Sequence, residues 1–120
     1  MSKSNTFEND LLLLVFNNTD ITLIGDAAGL QNSAAAGSLY VSLHTSDPGE
    51  AGDQTTNETA YTDYARVAVA RSGVGWTIVD GEGANAALIQ FPQASSGSTV
   101  THVAIGKASS GAGLVIWAGA

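Results

Sequence analysis

The clearest pattern in the chain lies near its start. Phe7, Leu11, Leu14 and Val15 recur at i, i+4, i+7 and i+8, which is one face of a helix. Leu12, Leu13 and Phe16 widen that face nearly to the full circumference, as in a helix buried against a second layer or a partner. Asn5 with Glu8 three positions later predicts a capped start, and Glu8 and Asp10 suit the positive end of the helix dipole. Asn17-Asn18-Thr19-Asp20 ends the helix, and Ile21–Ile24 reads as a last helical turn or a short strand.

After an Ala/Gly-rich loop the period changes to two. Leu39, Val41 and Leu43 alternate with polar neighbours and predict a half-buried strand ending at His44. Thr45-Ser46-Asp47-Pro48-Gly49 is a turn: Asp bonds forward to the backbone, Pro presets φ and Gly accepts positive φ. Residues 47–63 form a long polar loop. Strands are predicted at Ala65–Arg71, Trp76–Val79, Ala86–Phe91, Thr99–Ile105 and Leu114–Trp117, with Asp80-Gly81 as a hairpin turn. The pattern implies a mainly β fold, a small antiparallel β-sandwich or barrel with an N-terminal α-helix. It reads as a single domain over 1–120, with a helical arm at 1–24 and the sandwich at 39–118.

Composition narrows the function classes. Of 120 residues, 11 are Asp or Glu and only 4 are Lys or Arg, giving a net charge of -7. So few cations disfavour phosphate neutralisation and hence nucleic acid as a partner. The six-residue run Leu11–Phe16 is far shorter than the roughly 20 residues that cross a bilayer, and it lacks the basic flank and small-residue cleavage site of a secretory signal. We therefore expect no membrane partner. The absence of Cys excludes disulfides, Cys-based zinc sites and thiol nucleophiles. Only 12% of residues are charged, and from Gly83 onward Lys107 is the one charged residue. Such a surface suits a protein packed between subunits.

Catalytic motifs are weak. His44 with Asp47 invites an acid–base reading, but no nucleophile-elbow pattern accompanies it; Asp47 reads better as a turn builder and His44 as a strand-end residue. His44 and His102 are the only histidines and read as two unrelated strand residues rather than metal ligands. Glu50–Asp63 lacks EF-hand spacing and reads as a solvated acidic loop. Gly73-Val74-Gly75 and Gly81-Glu82-Gly83 lack the βαβ setting of a phosphate cradle. We expect no enzyme activity, no catalytic or metal-binding residue and no cofactor. Trp76 and Trp117 read as core, and Tyr61 and Tyr64 beside the loop as interface. Arg66 and Arg71, the only arginines, fall on opposite faces of one strand and imply specific carboxylate partners, within the chain or across a contact.

The block Leu39-Tyr40-Val41-Ser42-Leu43-His44-Thr45-Ser46-Asp47-Pro48-Gly49-Glu50-Ala51-Gly52-Asp53-Gln54 carries a family signal. So do Tyr64–Arg71, Gly75-Trp76-Thr77, Phe91-Pro92, Val100–Gly106 and Ser4–Asn9. Together they resemble a family of small tailed-bacteriophage virion proteins, whose members are labelled tail fibre or hypothetical protein. The resemblance implies a virion structural protein, assembled in the bacterial host cytoplasm. It implies first a capsid cement or decoration protein that binds the major capsid protein and itself, as a trimer or dimer on a symmetry axis. The alternative is a tail-associated or fibre protein, and a third reading, from another class, is a carbohydrate-binding module for host attachment. The expected contact residues are Phe7, Leu11, Leu14, Tyr61, Tyr64, Arg66 and Arg71.

Overall fold

A computed structural model describes all of residues 1–120. It is mainly β, with one helix, α1 (Asn5–Asn17), and six strands: β1 (Ser38–His44), β2 (Val67–Ala70), β3 (Trp76–Val79), β4 (Glu82–Asn85), β5 (His102–Gly106) and β6 (Val115–Gly119). The strands form two sheets, one of four strands ordered β2-β1-β5-β6 and one of two, β3-β4. The chain divides into two compact units, one of residues 1–37 and 70–88, the other of residues 38–69 and 89–120. No helix is long and apolar enough to cross a membrane.

The first unit is built on α1 and the β3–β4 hairpin. The helix begins one residue earlier than the sequence suggests: Ser4, not Asn5, is the cap, its Oγ accepting from the Phe7 N–H at 3.2 Å. At the other end Asn18 adopts the left-handed conformation, φ 56°. Phe16 is the buried residue of the helix, and its ring meets Trp76 edge-on, centroids 4.9 Å apart. Phe7, Leu11 and Leu14 are half-buried. Ile21 resolves neither as helix nor as a strand; it makes a single antiparallel bridge to Leu30.

Asp80 and Gly81 both take positive φ, 52° and 79°, as a two-residue hairpin turn requires. This turn corrects the predicted return strand at Ala86–Phe91. A two-residue loop fixes which residues come back beside Trp76–Val79, and these are Glu82–Asn85, despite their weak strand propensity.

The second unit holds the four-stranded sheet. β1 pairs β5 antiparallel from Tyr40↔Gly106 to His44↔His102, and β5 pairs β6 with a register shift after Ile105. Leu39 and Val41 are buried as the alternation predicts, but so are Ser42 and His44 on the opposite face. The polar loop is the reason. It folds back along β1, where Thr59 N–H donates to Leu43 C=O at 2.9 Å and Glu58 bridges His44. A strand expected to be wet on one face is covered on both.

Candidate functional site

The covered face of β1 is held by a polar network. His44 Nδ1 lies 2.9 Å from Thr56 C=O and Nε2 lies 2.9 Å from Ser42 Oγ. A carbonyl only accepts, so Nδ1 carries a proton and donates to Thr56, while Ser42 Oγ also donates to Ala104 C=O at 3.4 Å. His44 makes no bond to Asp47, whose Oδ1 accepts the Gly49 N–H at 2.8 Å and builds the turn as expected. The two histidines are register partners rather than unrelated, yet the His102 ring bonds Thr101 Oγ1, and no group of three His, Cys, Asp or Glu gathers around them.

Gln54 is buried completely, a position the sequence reading passed over. Its Oε1 accepts from Ala108 N–H at 2.9 Å. It lies against Gly106 and Gly113, where any Cβ would overlap the glutamine side chain. The signal was available: a glycine inside a strand marks close approach of another group. Thr59 Oγ1 bonds Ser98 Oγ.

Arg66 closes the loop from outside. Its Nε and Nη2 bond the two oxygens of Glu58 at 2.7 Å each, while Nη1 and Nη2 also donate to Ala108 C=O and Gly111 C=O at 3.0 and 2.8 Å. The arginine side chain is 3% exposed and the glutamate 15%. Tyr64 Oη donates to Glu58 Oε1 at 2.8 Å and accepts the Leu43 N–H at 3.0 Å. Burial opposes ionisation of Glu58, but the hydrogen bonds from Arg66 and Tyr64 outweigh it and hold the carboxyl below its ordinary value of 4.5. Burial, reinforced by Glu58, pushes the Tyr64 phenol up. Arg66 therefore has the carboxylate partner its scarcity implied, and the partner is within the chain.

Arg71, in the first unit, has none. It donates to Val15 C=O and Leu14 C=O at 2.7 and 2.8 Å, and to Ala36 C=O at 3.1 Å. Those helix carbonyls have no intrahelical donor, and α1 has no basic residue in its last turn, so Arg71 supplies the missing cation from outside the helix.

Tyr61 Oη donates to Pro92 C=O at 2.7 Å, its ring meets Tyr64 edge-on, and Tyr64 stacks on Phe91. Four of the expected contact residues thus have polar groups engaged within the chain. Trp76 is buried, whereas Trp117 is 44% exposed, against the reading of it as core.

A groove of about 390 Å³ opens on the second unit. One wall is Asp47–Gly52, the other Leu114–Ala118 along β6. Its floor carries no buried acid–base pair, and its shape suits contact with a chain segment rather than enclosure of a small molecule.

A family model described as Podophage GP4 fiber I protein gp80 matches residues 2–120. No curated protein and no solved structure matches the chain significantly. With its length matched from the second residue to the last, this chain belongs to the Podophage GP4 fiber I protein gp80 family, a family of small tailed-phage virion proteins.

Proposed function

We propose that the chain is a non-enzymatic component of the fibre apparatus of a podophage virion, working through contacts with other virion proteins. The family match over residues 2–120 carries the reading, because the family is named for a fibre protein. The burial of Ser42 and His44 supports it further: the one serine–histidine pair is enclosed and serves the fold.

Capsid cement, the first role that the resemblance implied, keeps one observation in its favour. The sequence has no internal repeat, and a fibre shaft is commonly stacked from repeated units. A fibre also has joints and attachment domains, and those need no repeat. Gold labelling of an affinity-tagged copy on intact particles separates the two. Label at the tail, in few copies, supports the fibre reading; label over the whole shell overturns it for cement.

A further inference from the structure

We propose that the loop of residues 18–33 is an anchor. It seats Leu23 and Ile24 in an uncharged, apolar cleft of another virion protein, with a Lys or Arg of that protein at the rim. The loop leaves and rejoins the first unit at one place. Asn18 Oδ1 accepts from Ser33 N–H, and Asn18 Nδ2 donates to Ser33 C=O, each at 2.9 Å. One tier out, Asp20 Oδ1 accepts from Asn32 N–H at 2.7 Å. Ile21 and Leu30 then exchange both backbone bonds, at 2.9 and 2.8 Å. Ile21 is buried and ties this neck to the core. A compact loop with joined ends is a common carrier of function.

Beyond the neck the chain runs against its own preferences. Leu23 takes φ 64°, the left-handed region where a side chain crowds the following carbonyl. Gly25 and Gly29 take φ 80° and 67°, which suit glycine, and any Cβ at Gly29 would overlap Ile21 C=O. Asp26 Oδ1 shapes the turn by accepting from the Ala28 and Gly29 N–H groups at 2.9 and 3.1 Å. The side chains so placed do not turn to the core. Leu23 is 78% exposed, Leu30 42% and Ile24 39%, with Ala27 and Ala28 exposed between them. Glycine at position 23 would relieve the backbone and leave less apolar surface in water, so the fold has no use for leucine there. A continuous apolar surface of this kind marks a contact site.

Charge decides the occupant. Residues 18–33 contain no Lys or Arg, and their carboxylates are Asp20 and Asp26. An anionic bilayer surface would repel them. A second copy of this chain is poorly suited. Its grooves at β6, at the start of α1, along the β3–β4 hairpin and beside Arg66 are each lined by at least one Asp or Glu, which would lose water beside Leu23. A foreign cleft of aliphatic or aromatic side chains buries Leu23 and Ile24 without that penalty. A cation at its rim meets the Asp26 oxygen that the turn does not use. The inference rests on the virion reading only in taking the partner to be another virion protein.

The test places a photo-crosslinking residue at Ile24 of the full-length chain in infected cells, with Val74, 79% exposed in the same unit, as the control position. Ile24 should give an adduct with another virion protein, attached among apolar residues beside a Lys or Arg, and Val74 about tenfold less of it. Leu23→Gly should lower the Ile24 adduct about tenfold, the scale of one aliphatic side chain lost from a buried contact. Its melting temperature should stay level or rise, since glycine relieves the left-handed backbone. Asp26→Asn keeps the turn acceptor, removes the charge and should lower the adduct about threefold. No adduct, an adduct with lipid or with a second copy, or equal adducts from Ile24 and Val74 overturn the proposal. So does an undiminished adduct in Leu23→Gly, or a fall of more than about 5 °C in its melting temperature, which would assign the leucine to the fold. An undiminished adduct in Asp26→Asn overturns the cation at the rim. An adduct that meets every other condition on a protein outside the virion sinks the virion reading and leaves the anchor standing. Gold labelling on the shell rather than the tail sinks the fibre reading alone.

Discussion

The two units solve the same problem with different materials. In the unit of residues 1–37 and 70–88 the buried side chains are Phe16, Ile21 and Trp76, all apolar in body. In the unit of residues 38–69 and 89–120 Leu39, Val41 and Ala104 are joined by Ser42, His44, Gln54 and Thr59, and every buried polar residue of the chain lies there. Each unit has one arginine. Arg71 binds the carbonyls of a helix end and of Ala36 and the Ser33 hydroxyl, with no carboxylate; Arg66 binds a carboxylate and two carbonyls inside a loop. Apolar contact is tolerant of small shifts, whereas a buried hydrogen-bond network is stable only when each member meets its partner. The polar unit is therefore the one whose loop geometry is fixed, and it is the unit that presents the groove.

The largest effect should come from the apolar unit. Trp76→Ala removes the ring on which Phe16 packs, and should cost about 4 kcal/mol in urea unfolding followed by circular dichroism. A cost near 1 kcal/mol would mean that this unit is not held by its aromatic pair.

Next comes Arg66→Met, at about 3 kcal/mol near neutral pH, because it strands a largely buried Glu58. The two arginines should then part company with pH. A carboxyl whose folded pKa is depressed contributes stability above its unfolded pKa, and that contribution is lost as pH falls through the folded value. For Glu58 the window opens near its ordinary 4.5 and extends below it. The Arg66→Met penalty should shrink across that window. Arg71→Met should cost about 2 kcal/mol, since helix carbonyls regain water, and this cost should stay level because no carboxylate is involved. A pH-independent Arg66→Met penalty would show that its carbonyl bonds, not Glu58, dominate.

Much of the apolar unit was legible in the sequence, because helical periodicity and the Asp80-Gly81 turn are local signals. The misplaced return strand shows the limit: turn geometry outranked side-chain preference, and Glu82–Asn85 paired although Ala86–Phe91 looked more strand-like. The polar unit was legible in β1, β5 and β6 and opaque in its loop. Nothing local tells that Thr56 C=O will meet His44, or that Gln54 will fill the space left by Gly106 and Gly113. Those are contacts across long sequence separations between residue types that usually face water. Arg66 was singled out by scarcity alone, and scarcity named the kind of partner without naming Glu58. The groove was invisible for the same reason: it exists because Gly52 turns the loop away from a strand more than sixty residues later.

The smallest effects give the sharpest contrast, since they delete one polar group from each unit. Tyr64→Phe removes a hydroxyl that accepts from Leu43 N–H and donates to Glu58, and should cost about 1 kcal/mol through the partners it abandons. Trp76→Phe also deletes one N–H or O–H group, but the buried Trp76 Nε1 has no acceptor in the protein. Leaving such a donor buried already costs on the order of 1–3 kcal/mol, so its removal offsets most of the packing lost with the smaller ring. Trp76→Phe should fall within about 1 kcal/mol of the parent, whereas Trp76→Ala does not. If Tyr64→Phe proved as neutral as Trp76→Phe in the same unfolding measurement, the hydroxyl would be a passenger. The distinction between a unit held by packing and one held by hydrogen bonds would then fail at the residue that joins Glu58 to β1.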